Sequence, residues 1–246
     1  MSGHSKWSNI KRRKEKTDAQ KAKLFTKIGR EMAVAVREGG ADPASNTKLR
    51  ELVAKAKGLN VPNDNINRII KRAEGGEKED YEAIVYEGYG PSGVAVMVET
   101  LTDNRNRTAA NMRHLFDKYG ASLGQSGSVA FLFTQKGTVL MEQAGLDEEK
   151  LMEDAFDAGA DDFDIEDGLC AVSCPPLAVA DVARRLEEKG YKVISAEAEW
   201  VPGTETALSA PEDLKRMGLL LEHLEEDDDV QEVWHNLANA EDLPDA

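Results

Sequence analysis

The sequence predicts an α+β protein of three parts: an N-terminal three-helix bundle and two α+β domains, of which the third is ferredoxin-like and inserted in the second. Three observations predict this. Apolar residues recur at helical spacing up to residue 75, they alternate from residue 81, and a βαββαβ order follows between residues 138 and 200. The predicted domains are residues 1–76, residues 81–134 plus 204–246, and residues 135–203.

Three amphipathic helices are predicted in the first domain. Apolar side chains recur every three or four residues in each stretch, and glycine follows each one. Helices this short are marginal alone in water, so helices joined by short loops predict a bundle. The predicted helices run from about residue 17 to 38, 46 to 57 and 62 to 74.

The second domain is predicted to be discontinuous in sequence. The segment after residue 203 is too small to bury a core alone, so we expect it to return to the hairpin, helix and strand of residues 81–134. The predicted elements are strands Tyr81–Glu87, Gly93–Leu101, Gly127–Thr134 and Val230–His235, with helices Arg105–Tyr119 and Pro211–Leu224.

The third domain is predicted from its strand and helix order. Its only cysteines, Cys170 and Cys174, would lie about 13 Å apart on one strand, beyond the roughly 7 Å limit for a disulfide, and we interpret them as small apolar residues. The predicted elements are strands Thr138–Glu142, Asp162–Glu166, Leu169–Ser173 and Lys192–Trp200, with helices Asp147–Ala158 and Leu177–Lys189.

Charge is distributed very unevenly along the chain. The whole chain carries a formal charge of −15, yet residues 1–80 hold 19 basic and 11 acidic side chains and carry +8. Residues 81–246 hold 12 basic and 35 acidic side chains and carry −23. This asymmetry is typical of a basic binding module joined to an acidic body that repels polyanions.

The basic charge is concentrated in the first 30 residues, which contain ten Lys or Arg and two acids. A positive segment on a strongly negative protein is not needed for solubility, so we expect it to contact phosphates. The alternative is that these cations are merely solvated. Trp7 either stacks on a base or packs against the bundle. The candidate nucleic-acid-binding residues are His4, Lys6, Trp7, Lys11, Arg12, Arg13, Lys14, Lys16, Lys23, Lys27 and Arg30.

Several classes of protein are disfavoured by the sequence. Its longest apolar run is far shorter than the roughly 20 residues that span a bilayer, and the basic N-terminus is not followed by the apolar region of a secretory signal, so we expect a cytoplasmic protein. The four histidines are scattered without metal-ligand spacing. No phosphate-binding loop or hydrolase motif occurs. We therefore expect no enzyme activity, cofactor, metal or small-molecule substrate.

Three polar motifs have competing interpretations. The glycines of Gly88–Gly93 match a dinucleotide fingerprint, but a strand follows where that motif requires a helix. We interpret them as a hairpin turn, or as a loop that touches a phosphate or partner. Arg105 and Arg107 begin a helix, where cations are disfavoured; they either bind a ligand or pair with acids while Asp103 caps the helix. The acidic run Asp227–Asp229 is expected to be a solvated turn.

Long motifs across almost the whole chain resemble the YebC/PmpR family, also known as the probable transcriptional regulatory proteins. This family includes the mitochondrial translational activator of cytochrome c oxidase. The motifs that carry the resemblance are GHSKWSNIKRRK, DAQKAKLFTKIGRE, GGADPASN, EGYGPSG, LTDNRNRTAANMRHLF and SLGQSGSVAFLF.

The resemblance implies an N-terminal helical domain followed by two α+β domains, and a function with nucleic acid. Family members are described either as DNA-binding transcriptional regulators or as ribosome-associated translation factors that help synthesis through proline-rich stretches. It also implies that the arm, defined here as residues 1–16, binds nucleic acid, and that two loops form a second contact surface. The residues of that surface are Tyr89, Gly90, Ser92, Asn104, Arg105 and Arg107.

We therefore expect a non-enzymatic, nucleic-acid-binding regulator of gene expression. A flexible basic arm with a stacking aromatic residue favours RNA on the ribosome as the partner. The alternative is a DNA-binding transcriptional regulator, for which a recognition helix and a symmetric dimer are usual. From other classes, a phosphate-handling enzyme and a pure protein adaptor remain as alternatives.

Overall fold

The computed structural model describes residues 18–75, 80–143, 147–166 and 168–244. Two compact units are present. One is formed by Ala130–Glu205, and the other by the described residues up to Val129 together with those from Thr206 onward. Each unit holds an antiparallel four-stranded sheet with helices, and the second also contains three N-terminal helices. The predicted α+β class with an N-terminal three-helix domain is confirmed.

The elements agree closely with the sequence periodicity. In chain order they are α1 (Asp18–Gly39), α2 (Thr47–Gly58), α3 (Asn63–Glu74), β1 (Glu82–Tyr89), β2 (Ala95–Thr102), α4 (Arg105–Lys118), β3 (Ser122–Leu123), β4 (Phe133–Glu142), α5 (Glu148–Ala158), β5 (Asp162–Glu166), β6 (Leu169–Cys174), α6 (Val179–Glu188), β7 (Val193–Pro202), α7 (Pro211–Glu226) and β8 (Val230–His235).

Helices α1, α2 and α3 form the helical domain. Ile28 and Met32 of α1 pack with Leu49 of α2 and Ile66 of α3, and all four side chains are buried. A side chain also determines where α1 ends. Asn46 donates from Nδ2 to the carbonyl oxygens of Ala35 and Gly40 and accepts at Oδ1 from the Leu49 amide, so one residue closes α1 and caps α2.

The second part of this unit, here called the central domain, is the sheet β3-β1-β2-β8 with helices α4 and α7 on one face. The C-terminal segment returns to the hairpin, because β8 pairs with β2 through Val233 opposite Val98. Phe116 of α4 packs so closely on β1 that a Cβ at Gly88 would lie 2.5 Å from its ring. The absence of a side chain at Gly88 therefore allows the helix to approach the sheet.

The Ala130–Glu205 unit contains the sheet β5-β6-β4-β7 and helices α5 and α6. Both helices pack on the face formed by Val139, Met141 and Val172. Cys170 and Cys174 lie on this same face and are buried as free thiols, as predicted. Burial raises the pKa of the Cys174 thiol, so the neutral form is favoured.

The predicted strand Gly127–Thr134 is wrong over residues 127–132, and only Phe133 and Thr134 lie in a strand. Ala130–Leu132 forms a 3₁₀ turn, and the strand begins at Phe133 and continues as β4. The amides of Gly127 and Val129 donate to the buried Glu87 carboxylate, at 2.7 and 2.8 Å, rather than to a neighbouring strand. Two backbone amides of this segment are therefore satisfied by the Glu87 side chain and not by strand pairing, and sequence periodicity gives no sign of that contact.

Candidate nucleic-acid interface

Eight of the predicted nucleic-acid-binding residues lie outside the described residues. The other three are on α1, and each meets an acceptor of the central domain. Lys23 Nζ lies 3.2 Å from Glu226 Oε1 on the surface. Lys27 is only 8% exposed and donates to the carbonyl oxygen of Glu225 at 3.0 Å. The residues outside the described ranges are His4, Lys6, Trp7, Lys11, Arg12, Arg13, Lys14 and Lys16.

Arg30 contacts several acceptors of the central domain. Its Nη1 donates to Asp229 Oδ1 at 2.7 Å and to the carbonyl oxygens of Asp228 and Leu101 at 2.7 and 3.2 Å. The guanidinium also lies over the Tyr81 ring, 5.6 Å from its centroid. With Lys23 and Lys27, Arg30 fixes the helical domain to the central domain. The positive charges of these three side chains are therefore engaged in contacts within the protein.

Asp229 is the buried centre of a polar cluster, defined here as Asp229, Arg30, Arg107, Thr102 and Thr108. Its side chain is 4% exposed, and the carboxylate accepts hydrogen bonds from Arg107 Nη2 at 2.8 Å and from Thr108 Oγ1 at 2.7 Å. Burial by itself would raise the pKa of Asp229, but hydrogen bonds from Arg107, Thr108 and Arg30 lower it overall, so the carboxylate stays ionised.

The run Asp227–Asp229 is therefore not a solvated turn, which corrects the sequence interpretation. Asp228 is exposed, but Asp229 is the acid to which two domains contribute arginines. A run of five acids gives no sign of which member is buried, since burial here depends on residues about 120 and 200 positions earlier in the chain. Reasoning from sequence missed this cluster for that reason.

The arginines at the start of α4 pair with acids, as one of the two sequence interpretations predicted. Arg105 Nη1 lies 3.3 Å from Glu82 on the surface. Arg107 bonds both Asp103 and Asp229, and these bonds raise its pKa. The helix cap is Asn104, whose Oδ1 accepts from the Arg107 amide at 3.1 Å, and not Asp103.

The Gly88–Gly93 stretch forms the turn between β1 and β2. The left-handed positions are Ser92, with φ 52°, and Gly93, with φ 85°. The Ser92 hydroxyl donates to Asp213 at 2.6 Å, and Tyr89 Oη donates to the carbonyl oxygen of Ser128 at 3.0 Å. A Cβ at Gly90 would lie 2.9 Å from Met217 Sδ. The turn is thus held by the central domain.

The two predicted loops of the second contact surface are not brought together. In the β1–β2 ladder, Tyr89 pairs with Ala95 at the turn, and Glu82 pairs with Thr102 beside the start of α4. Seven residues of strand therefore separate the loops, or roughly 23 Å at about 3.3 Å per residue. Tyr89, Gly90 and Ser92 lie at one end of the hairpin, and Asn104, Arg105 and Arg107 lie at the other.

The helical domain also presents cations that sequence reasoning did not single out. Arg50, Lys57, Arg68 and Lys71 are exposed and, within the ranges that the structure describes, form no ion pair. Arg68 and Lys71 share the outer face of α3 with Asn67. The signal was present in the sequence, because these positions fall opposite the apolar stripe of α3. These side chains provide donors of the kind that bind phosphates and base edges.

Residues 18–75, 80–143, 147–166 and 168–244 meet neither the requirements of a metal site nor those of a membrane-spanning helix. No group of three His, Cys, Asp or Glu there is arranged to hold a metal ion. No helix in the same ranges has the length and apolar character needed to cross a bilayer.

Two family descriptions match the chain. The TACO1/YebC protein N-terminal domain matches residues 5–76, and the TACO1/YebC second and third domain matches residues 81–237. The chain belongs to the TACO1/YebC family. It is a family of regulatory proteins rather than enzymes.

Relatives agree over nearly the full length. A probable transcriptional regulatory protein of Acetivibrio thermocellus is 52% identical over 238 residues, covering 96% of this chain and 98% of that protein. One from Finegoldia magna is 50% identical over 240 residues, covering 97% and 100%. The crystal structure of a conserved hypothetical protein, Aq1575, from Aquifex aeolicus has a TM-score of 0.82 at 41% identity, covering 90% of this chain and 92% of that one.

Proposed function

We propose that this TACO1/YebC-family regulator binds RNA on the ribosome through its basic arm, as a translation factor that relieves difficult stretches such as proline-rich ones. The main support for the proposal is that the cations fall into two groups, those that contact the central domain and those of the arm. Lys23, Lys27 and Arg30 are used to fix the helical domain to the central domain. The arm contains six further Lys or Arg and one acid, in addition to the three cations that contact the central domain.

The acidic remainder of the chain supports the same proposal. An arm with point-charge lysines and Trp7 suits the irregular backbone and unstacked bases of RNA. The −23 charge of residues 81–246 would repel nucleic acid elsewhere on the protein. Binding would then be confined to the arm and to the exposed cations of α2 and α3. We also infer that this action takes place in the cytoplasm.

DNA binding as a transcriptional regulator is the second candidate, and one observation favours it. The outer face of α3 presents Asn67, Arg68 and Lys71, which are residue types that read or grip the major groove. The names of the bacterial relatives also point to transcription. Arg107 and Asn104 are less suited to bases, since both are held by intrachain hydrogen bonds.

The two candidates are separated by comparing ribosomes with DNA at the same salt concentration. The full chain should co-sediment with ribosomes more strongly than it is retained on a promoter fragment. Arg12→Glu combined with Arg13→Glu should weaken ribosome binding at least tenfold, because charge reversal both removes phosphate contacts and adds repulsion. Tighter retention on the promoter fragment would favour transcriptional regulation instead.

A charge-matched control is available on the acidic part of the chain. Lys150→Glu combined with Lys215→Glu makes the same change in net charge at exposed positions of α5 and α7. This variant should co-sediment like the unmodified chain. If both double variants lost binding equally, net charge would explain the effect and the arm would have no special role. If neither did, a protein adaptor would be the better account.

We further infer a ferredoxin-like plan for the inserted part of the chain. The order β4-α5-β5-β6-α6-β7 and the sheet order β5-β6-β4-β7 support it. The pairing of β8 with β2 supports a discontinuous central domain of residues 81–134 and 204–246, interrupted by residues 135–203. The helical domain of residues 1–76 completes this three-domain division.

A further inference from the structure

Helix α1 carries three of its cations in one row. Lys23, Lys27 and Arg30 are spaced four and three residues apart, and this spacing places them on one side of an α-helix. The row, called the cationic row below, is roughly 10 Å long at about 1.5 Å per residue. Three positive charges in line are suited to an extended polyanion rather than to a single small anion.

A short acidic segment of the central domain lies along this row. The segment, residues 225–229, consists of five consecutive acids. Each cation of the row donates to an oxygen of the segment, at distances between 2.7 and 3.2 Å. The acceptors are the carboxylates of Glu226 and Asp229 and the carbonyl oxygens of Glu225 and Asp228. The segment therefore presents to the row a line of oxygen acceptors, as a phosphate backbone would.

The helical and central domains belong to one compact unit, yet each has its own apolar core. One cluster of buried apolar side chains surrounds Met32 and Leu49, and another surrounds Val98 and Leu220. Among the residues that the structure describes, none belongs to both clusters. Polar contacts between domains are weakened by salt and are typical of domains that move relative to each other. Separation of the row from the acidic segment would therefore leave both apolar cores intact.

The contact is accessible at one end and buried at the other. The side chains of Lys23 and Glu226 are 40% and 54% exposed. Those of Arg30 and Asp229 are 17% and 4% exposed. A polyanion can thus reach the row at Lys23, whereas Arg30 becomes available only when the acidic segment moves away.

We propose that the cationic row is a covered RNA-binding face, and that RNA uncovers it by displacing the acidic segment. Over roughly 10 Å, one strand of a duplex offers about three phosphates at about 3.4 Å each, which matches the three cations. Each phosphate carries a negative charge, whereas the segment's acceptors for Lys27 and Arg30 include neutral carbonyl oxygens. RNA can shift the equilibrium because it binds the uncovered row and not the covered one.

This inference rests on the RNA binding proposed above and adds a form of selectivity to it. While the acidic segment covers the row, an anion must displace that segment before it can contact Lys27 or Arg30. An extended RNA strand contacts several cations at once, so its phosphates act at a high effective concentration, whereas a single phosphate does not. The segment therefore favours extended RNA over small anions.

Acetylation of Lys27 by an amine-reactive ester tests, without nucleic acid, whether the row can be uncovered. Lys27 is 8% exposed and should react slowly. Raising salt from about 0.05 to about 0.5 M should accelerate its acetylation at least threefold, because salt screens the contact. Lys57 is exposed on α2 and is the internal control, whose rate should not change. Equal changes at the two lysines would overturn the proposal.

A charge-neutralised variant tests the same step at low salt. Glu226→Gln changes an exposed side chain and removes the carboxylate that pairs with Lys23, so it should accelerate acetylation of Lys27 at least twofold. Glu153→Gln is the matched control, because it makes the same change in net charge at an exposed position of α5. Equal rates of Lys27 acetylation in the two variants would also overturn the proposal.

Carbodiimide coupling tests the displacement by RNA. The reagent joins an amine to a neighbouring carboxylate, so the Lys23–Glu226 pair, at 3.2 Å, reports the covered row. The Lys48–Glu38 pair, at 3.3 Å, lies within the helical domain and is the control. Saturating poly(U) RNA should lower the coupling yield of the first pair at least threefold and leave the second unchanged. Equal losses at both pairs would show general shielding of lysines by RNA and would overturn the proposal.

RNA affinity, measured on the same samples, separates failure of this inference from failure of the proposed function. RNA binding with an unchanged Lys23–Glu226 coupling yield would overturn the inference alone, since RNA would then bind without displacing the acidic segment. Absence of RNA binding by both the unmodified chain and Glu226→Gln would overturn the proposed function and the inference together.

Discussion

Arg30 Nη1 lies 2.7 Å from Asp229 Oδ1, and this ion pair joins the helical domain to the central domain. The same carboxylate is bonded by Arg107 from α4. One buried acid thus holds the start of α4 and helix α1 in a fixed relation to the segment before β8. Two predictions about stability depend on this ion pair.

Replacing Asp229 with Asn should destabilise the fold by about 1–3 kcal/mol, because Arg30, whose side chain is only 17% exposed, loses its buried anionic partner, whereas Arg107 is 45% exposed and can be solvated. Urea unfolding followed by circular dichroism would measure the loss. Asp228→Asn is the matched control, since the Asp228 side chain is exposed and its backbone carbonyl, which accepts from Arg30, is retained. A difference of less than about 1 kcal/mol between the two variants would contradict the central role of Asp229.

The same carboxylate should make stability depend on pH in the acid range. The pKa of Asp229 is lowered on folding, so its contribution is fully present above the unfolded value of about 3.9 and is lost as pH falls towards the folded value. The difference in unfolding free energy between the unmodified chain and Asp229→Asn should therefore be constant from pH 7 to 5 and shrink below about pH 4. A difference that instead shrank between pH 7 and 5 would identify another group.

Glu99 should behave in the opposite sense. Burial and the cross-strand neighbour Glu232 raise its pKa, and Lys48 and Lys55 of α2 only partly offset them. A raised pKa means that ionised Glu99 opposes folding at neutral pH, so Glu99→Gln should stabilise the protein by up to about 1 kcal/mol at pH 7. The gain should vanish below about pH 4, where the unfolded-state carboxyl is also protonated. Destabilisation at pH 7 would refute this assignment.

Gly88→Ala should destabilise the central domain by about 1–3 kcal/mol, the usual range for overpacking. Its new methyl group would lie 2.5 Å from both the Phe116 ring and the carbonyl oxygen of Ser122, and the latter belongs to the backbone of the neighbouring strand. Gly58→Ala is the control, because its Cβ would meet nothing within 4 Å. Thermal unfolding of both variants measures the difference, and equal midpoints would show that α4 does not pack on β1 this closely.

The helices and most strands were predictable because their periodicity is local. The apolar spacing of Ile28 and Met32 shows which side of α1 is buried, and the predicted bounds of β8 agree with the structure. The wrong strand prediction at residues 127–134 has a cause that is distant in sequence. The Glu87 carboxylate accepts hydrogen bonds from two backbone amides of this segment, whereas the alternating pattern predicts that they pair with a neighbouring strand.

The candidate site was less predictable than the fold. Sequence alone identified basic residues but not which of them are used inside the chain, because Arg30 and Asp229 are 199 residues apart. The acids of the run before β8 are chemically alike, and only tertiary packing distinguishes buried Asp229 from exposed Asp228. The role of the arm residues remains a prediction.

The dependence of RNA affinity on salt concentration most directly tests whether the cationic arm binds nucleic acid through phosphate contacts. If about six cations contact duplex phosphates, log affinity should fall against log salt with a slope of roughly −5. Neutralising Lys11, Arg12, Arg13 and Lys14 with Gln should reduce that slope by about three to four units. An affinity insensitive to salt, or a slope unchanged in the neutralised variant, would contradict the account.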